Sequence, residues 1–283
     1  MSAVHPGYAP PSGPDRPPSG SWVRRWLLVG TAVWAVLLAG LAWWSARTDE
    51  PTVREQRTIE QAAPVVDAAV GQLVAALDGT AWAMTPSRVE RGCRVTPVSA
   101  GAELTRGIGV LVAEGGERDL LRQVADALPA RWRAGVRDAA EGPLLRADAG
   151  EFVLVEGEST SPGRVRLEVL TGCRPTDAGS GDLLLGNPPE PALRAALQAL
   201  GRPVPEQVDQ IWTSCPGGAK ARTERVAAGP EPASLSALAP LAAAGTVVID
   251  TPEVYAYRSG TDLIIADATG DQLHLAFSTG CAD

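Results

Sequence analysis

RVRLEVLTGC, residues 164–173, decides the fold of the larger part of this chain. Val165, Leu167 and Val169 alternate with Arg164, Arg166 and Glu168. Successive side chains of a strand point to opposite faces, so the alternation predicts a sheet with one buried and one wet face. The stretch closes on Thr171-Gly172-Cys173, and the same triplet recurs at Thr279-Gly280-Cys281 after LHLAFS, residues 273–278. Two similar strand endings, each followed by a cysteine, are the first sign of a repeated unit.

Outward from the first ending, strands are expected near Phe152 to Glu156, Arg88 to Val98 and Glu103 to Ala113, with a turn at Ser99-Ala100-Gly101. Glu117 to Leu128 reads as a helix with Leu120, Leu121, Val124 and Leu128 inward, while Arg133 to Gly150 reads as loop. A preceding helix is expected from Pro64 to Leu77. Thr58 and Gln61 could cap an earlier start, but that would place Pro64 inside the helix at a cost of ~3 kcal/mol. Pro64 in the first turn and Gly79 past the end is the cheaper arrangement. Its apolar positions, including Val66, Val70, Leu73 and Leu77, cover more than one stripe, which favours burial on a sheet over a two-stranded coiled coil.

The second ending has similar surroundings. Pro175 to Pro189 breaks the pattern, and Pro191 and Gly201 then bracket a short helix. A strand follows near Ala219 to Ala227, a helix from Ser234 to about Ala243, and strands near Thr246 to Ile249, Val254 to Arg258, Asp262 to Ala266 and Gln272 to Phe277. The expectation is an α+β chain with two repeated small domains, 64–178 and 190–283, each a helix then β-β-α-β-β in largely antiparallel sheets, joined by a linker at 179–189.

Upstream lies RRWLLVGTAVWAVLLAGLAWWSAR, residues 24–47. No charge interrupts it between Arg25 and Arg47, and tryptophans stand at both ends, the pattern of one membrane span. The anchor is placed at 22–46, after a Pro-rich disordered tail at 1–21 and before a polar linker at 47–63. Arg24 and Arg25 put the N-terminus in the cytoplasm and the domains outside. A cleaved signal with a site near Gly40-Leu41-Ala42 is the rival; the length of the run and the tryptophans beyond the cut speak against it. A twin-arginine export signal is a weaker rival.

All four cysteines, Cys93, Cys173, Cys215 and Cys281, follow the anchor. An even count beyond a membrane reads as two disulfides, and the repeat pairs Cys93 with Cys173 and Cys215 with Cys281. Formal charge is −8 overall; the first 25 residues carry +2, leaving −10 for the rest, which argues against nucleic-acid binding.

Signs of catalysis are few. His5 lies in the tail and His274 on a wet strand face, Lys220 has no S-x-x-K context, and no C-x-x-C, H-E-x-x-H, G-x-S-x-G or P-loop occurs. No cofactor or metal is implied. Glu156 with Glu158, or Asp267 with Asp271, could serve as acid and base in sugar hydrolysis, but acids at strand ends and turns are commonplace. Arg88, Arg91 and Arg94 near one strand and Arg164, Arg166 and Arg174 near another would be gathered by the Cys93–Cys173 bridge into a patch for anionic envelope polymers or lipid headgroups. The expectation is a single-pass, non-enzymatic envelope binding or scaffolding module with an envelope protein or anionic polymer as partner. An extracytoplasmic enzyme using carboxylates is the alternative, or a homo-oligomeric structural component.

Overall fold

A computed structural model describes residues 21–48, 57–176, 186–230 and 234–281. Residues 1–20 of the expected tail and 179–185 of the expected linker lie outside the described residues. The described residues fall into two units, 21–48 and the compact unit that begins at residue 57.

Helix α1 (Ser21–Thr48) contains the apolar run. Arg24–Trp44, 21 residues of mean hydropathy 1.9, is long and apolar enough to cross a membrane, and none of it is buried. Trp22 and Trp26 meet edge to face, 6.0 Å between ring centroids. The helix suggests membrane anchoring.

Helix α2 (Ile59–Ala76) opens the compact unit. It starts earlier than the proline rule implies, and Pro64 sits inside it. Thr58 caps the helix reciprocally with Gln61, while Ile59 and Ala62 are buried. Capping contributes ~1 kcal/mol, and the buried first turn adds to it, together offsetting the hydrogen bond that Pro64 cannot donate. Gly79, at φ 80°, ends the segment in the left-handed region as its position implied.

Strands β1 (Ala81–Met84), β2 (Arg88–Thr96) and β3 (Ser99–Leu111) precede α3 (Glu117–Ala127), whose Leu120, Leu121 and Val124 are buried. The expected loop at 133–150 is instead a hairpin of β4 (Gly135–Ala139) and β5 (Gly142–Gly150). Val136 is the one large apolar side chain in β4, so the strand carries no period-two signal and exists through its pairing. β6 (Val153–Ser161) and β7 (Arg164–Leu170) complete an antiparallel seven-stranded sheet of order β1-β3-β7-β6-β5-β4, with β2 also pairing β3.

After α4 (Pro191–Ala199) come β8 (Asp209–Ser214) and β9 (Lys220–Ala227). The expected helix at 234–243 is split into a 3-10 turn, Leu235–Leu238, and a single turn α5 (Ala239–Ala242). β10 (Thr246–Asp250), β11 (Val254–Ser259), β12 (Asp262–Asp267) and β13 (His274–Thr279) then build a six-stranded antiparallel sheet of order β10-β11-β12-β13-β9-β8.

The second sheet is buried on both faces. Tyr257, Ile264, Leu275 and Phe277 pack against α4 and the 3-10 turn. Ile211, Leu263, Ile265 and Ala276, on the opposite face, join the core formed by α2, α3 and the first sheet. Here α2 approaches β8 so closely that a Cβ added at Gly71 would lie 1.9 Å from the Ser214 carbonyl oxygen. The disulfides are Cys93–Cys173 and Cys215–Cys281, with Cα separations of 5.9 and 5.6 Å, within the usual range for such bridges. In keeping with their usual compartment, they suggest an extracytoplasmic location for the compact unit.

Candidate functional site

A cavity of about 600 Å³ lies where the N-terminal half of α2 meets β2, β3 and β8. Pro64 and Ala63 present little side chain on the helix side; Val89 and Leu104 form one wall, Ile211 and Trp212 the other. Trp212 is 45% exposed and marks the lip. This volume and apolar lining fit the usual range for ligand sites.

Polar groups on the groove floor are already paired. Arg106 donates to the Asp67 carboxylate at 2.6 Å and to the Trp212 carbonyl at 2.6 Å. Asp67 also accepts from the Ser214 backbone N–H at 3.1 Å. Burial by itself would raise the Asp67 carboxyl, but the hydrogen bonds from Ser214 and Arg106, with the Arg106 charge, outweigh it and hold the group below the usual carboxylate range. Asp67 therefore stays ionised at neutral pH and is a poor proton donor. The groove offers apolar area with fixed charges beneath it.

The lip has its own support. Arg222 lies 5.5 Å from the centroid of the Trp212 ring and 5.2 Å from that of Phe277, and pairs with Glu190 at 2.5 Å. Glu224, wholly buried, accepts from the Glu190 backbone N–H at 2.8 Å and from the Gln210 side chain at 2.7 Å. That carboxylate fixes the start of α4 against β8 and β9. Gln210 also lines the groove, linking this network to it.

The six arginines expected in one patch occupy different places. Arg88, Arg91 and Arg94 are exposed along β2, where Arg88 meets Glu90 at 3.3 Å and Arg94 donates to the Pro97 carbonyl. Arg174 is fully buried beside the Cys93–Cys173 bridge and donates to the carbonyls of Thr171 and Glu151. Arg164 and Arg166 lie at the start of β7, and that strand runs away from them toward Cys173. At ~3.3 Å per residue the two ends of β7 are roughly 20 Å apart. Arg164 is bidentate to Asp267 at 2.6 and 2.8 Å.

Of the carboxylates considered for catalysis, Glu156 pairs with Arg146 at 2.8 Å and Glu158 faces Arg166 at 3.9 Å, on the wet face of the first sheet. Burial would raise Asp267, but its hydrogen bonds from Arg164 and Thr269 prevail and lower it. Among the described residues no group of three or more metal-ligating side chains converges. Asp67, Arg106 and Trp212 escaped the sequence reading as site residues because they meet across 39 and 106 positions without a local motif. Comparison with protein-family models, with curated proteins and with solved structures yields no match to this chain.

Proposed function

We propose that the protein is a membrane-anchored, extracytoplasmic binding module whose groove between α2, β2–β3 and β8 receives an apolar segment of an envelope protein. The observation carrying this reading is the groove itself: its apolar walls remain available, while the charges at its floor are satisfied within the fold. A ligand would gain from burying apolar area there, with Trp212 covering it from the lip. The enzymatic alternative draws less support, since Glu156, Glu158, Asp67 and Asp267 each face an arginine. The reading places the N-terminus in the cytoplasm and residues 57–281 outside.

Duplication belongs to the same proposal, and strand order supports it. Counting β2 and β8 as the first strand of each half, both sheets contain the order third, fourth, fifth, sixth, second, first, and β1, which also pairs with β3, is an extra strand of the first sheet. Each half begins with a helix, places its other helical elements between the second and third strands, and closes with a disulfide to a cysteine shortly after its last strand.

Photo-crosslinking residues placed at Val89 and at Trp212 in cells test the groove, with Val98, 97% exposed on the β2–β3 turn, as the control position. The two groove positions should capture the same partner and Val98 should not. Ala63→Trp, which fills the groove, should abolish capture while both disulfides still form. Equal capture at Val98, or capture unaffected by Ala63→Trp, would refute the groove as the binding site.

A further inference from the structure

At another place on the junction between the sheets, a smaller cleft of about 230 Å³ lies between β1, β3 and β7 of the first sheet and β9, β12 and β13 of the second. Arg164 and Arg166 line it from β7, and Arg225 and His274 line it from β9 and β13. Their orientation follows from register. Arg225 stands opposite Ala276, and His274 opposite Asp267, on one face of the second sheet; Arg166 stands opposite Gly109 on the first. Ala83, Gly109 and Ala276 also line the cleft, and a Cβ at Gly109 would meet nothing closer than the Ala83 carbonyl oxygen at 3.9 Å. These small residues leave the space toward which the cations point.

The local charges do not balance. Three guanidinium groups line the cleft with one carboxylate, Asp267, so the lining carries a formal excess of two positive charges on a chain of net charge −8. Asp267 is committed to Arg164 through both oxygens and accepts from Thr269 as well. Arg166 has only the long contact to Glu158, 3.9 Å, with both side chains about half exposed. Among the described residues Arg225 has no hydrogen bond or ion pair. Burial lowers its proton affinity, with the more distant Asp267 charge opposing that effect. Arg225 is only partly buried, so its guanidinium remains accessible to an anionic group in the cleft.

We propose that this cleft is a binding site for a small oxyanion, a phosphate-type group, held by Arg225 and Arg166 with Arg164 fixed beside them by Asp267. Guanidinium forks match the paired oxygens of such a group, and a cleft with low-dielectric walls strengthens the attraction. The volume falls below the usual range for drug-sized ligands, so the site takes an anionic group and little of whatever carries it. The site is independent of the apolar groove and of the partner proposed for it.

The test uses the full chain in phosphatidylcholine nanodiscs, titrated with inorganic phosphate and followed by calorimetry and thermal unfolding. Wild type should bind one phosphate per chain and unfold at a higher temperature as phosphate is added. Arg225→Gln and Arg166→Gln should each weaken binding about ten- to hundredfold, the loss expected for a charge-assisted hydrogen bond. Arg88→Gln, on exposed β2, should leave it unchanged. Arg225→Gln, at a partly exposed position, should leave the unfolding temperature of the phosphate-free protein close to that of wild type. A variant that merely misfolded would lower that temperature, and Arg166→Gln, at an exposed position, then carries the test alone.

The proposal is overturned if wild type binds no phosphate, or if Arg166→Gln and Arg225→Gln bind it as wild type does. Repeating the titration in nanodiscs containing phosphatidylglycerol identifies the source. A phosphate effect that disappears there for wild type assigns the cleft to a lipid headgroup, and one that persists assigns it to a free anion.

Discussion

Replacing Gly71 with alanine should destabilise the protein, although the same change inside a helix ordinarily stabilises by about 1 kcal/mol. An ideal Cβ at this position lies 1.9 Å from the Ser214 carbonyl oxygen, 2.8 Å from its carbon and 3.3 Å from the Cys215 Cα. All three atoms belong to backbone, so no rotamer change relieves the overlap; α2 must withdraw from β8 by roughly 1.5 Å to restore ordinary contact. Overpacking of this kind costs about 1 to 3 kcal/mol and more when backbone must move, which outweighs the gain in helix propensity. We expect a net loss of ~2 kcal/mol, seen as a fall of about 4 to 8 °C in the unfolding temperature for a unit of this size. Near-UV circular dichroism of the full chain in detergent reads it, with Gly135→Ala as control because nothing lies within 4 Å of a Cβ there. A Gly71→Ala protein as stable as wild type would mean that α2 does not rest on β8 as described.

Further outcomes follow from other parts of the fold. Peptide mapping without reduction should recover Cys93 joined to Cys173 and Cys215 joined to Cys281, and removing either bridge should cost up to ~4 kcal/mol for closed loops of sequence separation 80 and 66. Asp67 and Asp267 are held below their ordinary value of 3.8, so the stability they supply is complete above that pH and is lost as the pH falls beneath it toward their folded values. Acid titration of Asp67→Asn and Asp267→Asn should accordingly show a flatter decline below pH 3.8 than wild type shows. Glu224→Ala would leave the Glu190 N–H and the Gln210 amide without their acceptor and should cost about 1 to 3 kcal/mol, measured by urea unfolding.

Local chemistry made much of the fold legible. The period-two run at Arg164–Leu170 marked a strand with a wet face, the charge-free run marked α1, and the recurring Thr-Gly-Cys endings indicated how the four cysteines pair. Where local signals competed, the reading failed. Pro64 looked like a helix start because its missing donor is a local penalty, whereas the burial of Ile59 and Ala62 that offsets it is tertiary. β4 carries a single large apolar side chain and β1 is only four residues long, so neither announces itself, and both depend on a neighbouring strand. The candidate sites were less legible still. The disulfide does join β2 to the end of β7, but a strand has two ends, and Arg164 and Arg166 lie at the one remote from the bridge. Asp267, which pairs with Arg164, and Arg225, which lines the same cleft, come from the other sheet, at separations that no spacing rule addresses.

Both candidate sites arise from one packing problem. Sheets that carry helices on one face leave the other face to be buried or to be made polar. The first sheet takes the second course: Arg146, Glu156, Glu158 and Arg166 pair across its wet face. The second takes the first course and lays Leu263, Ile265 and Ala276 into the core that contains α2 and β1. Two twisted sheets do not match along their whole length, and cavities remain where the facing side chains are small. At the apolar groove those residues are Ala63 and Pro64, in the anion cleft Ala83, Gly109 and Ala276. The side chains bordering each gap then determine its chemistry: internally paired Asp67 and Arg106 leave the first apolar in character, while unpartnered Arg225 leaves the second cationic.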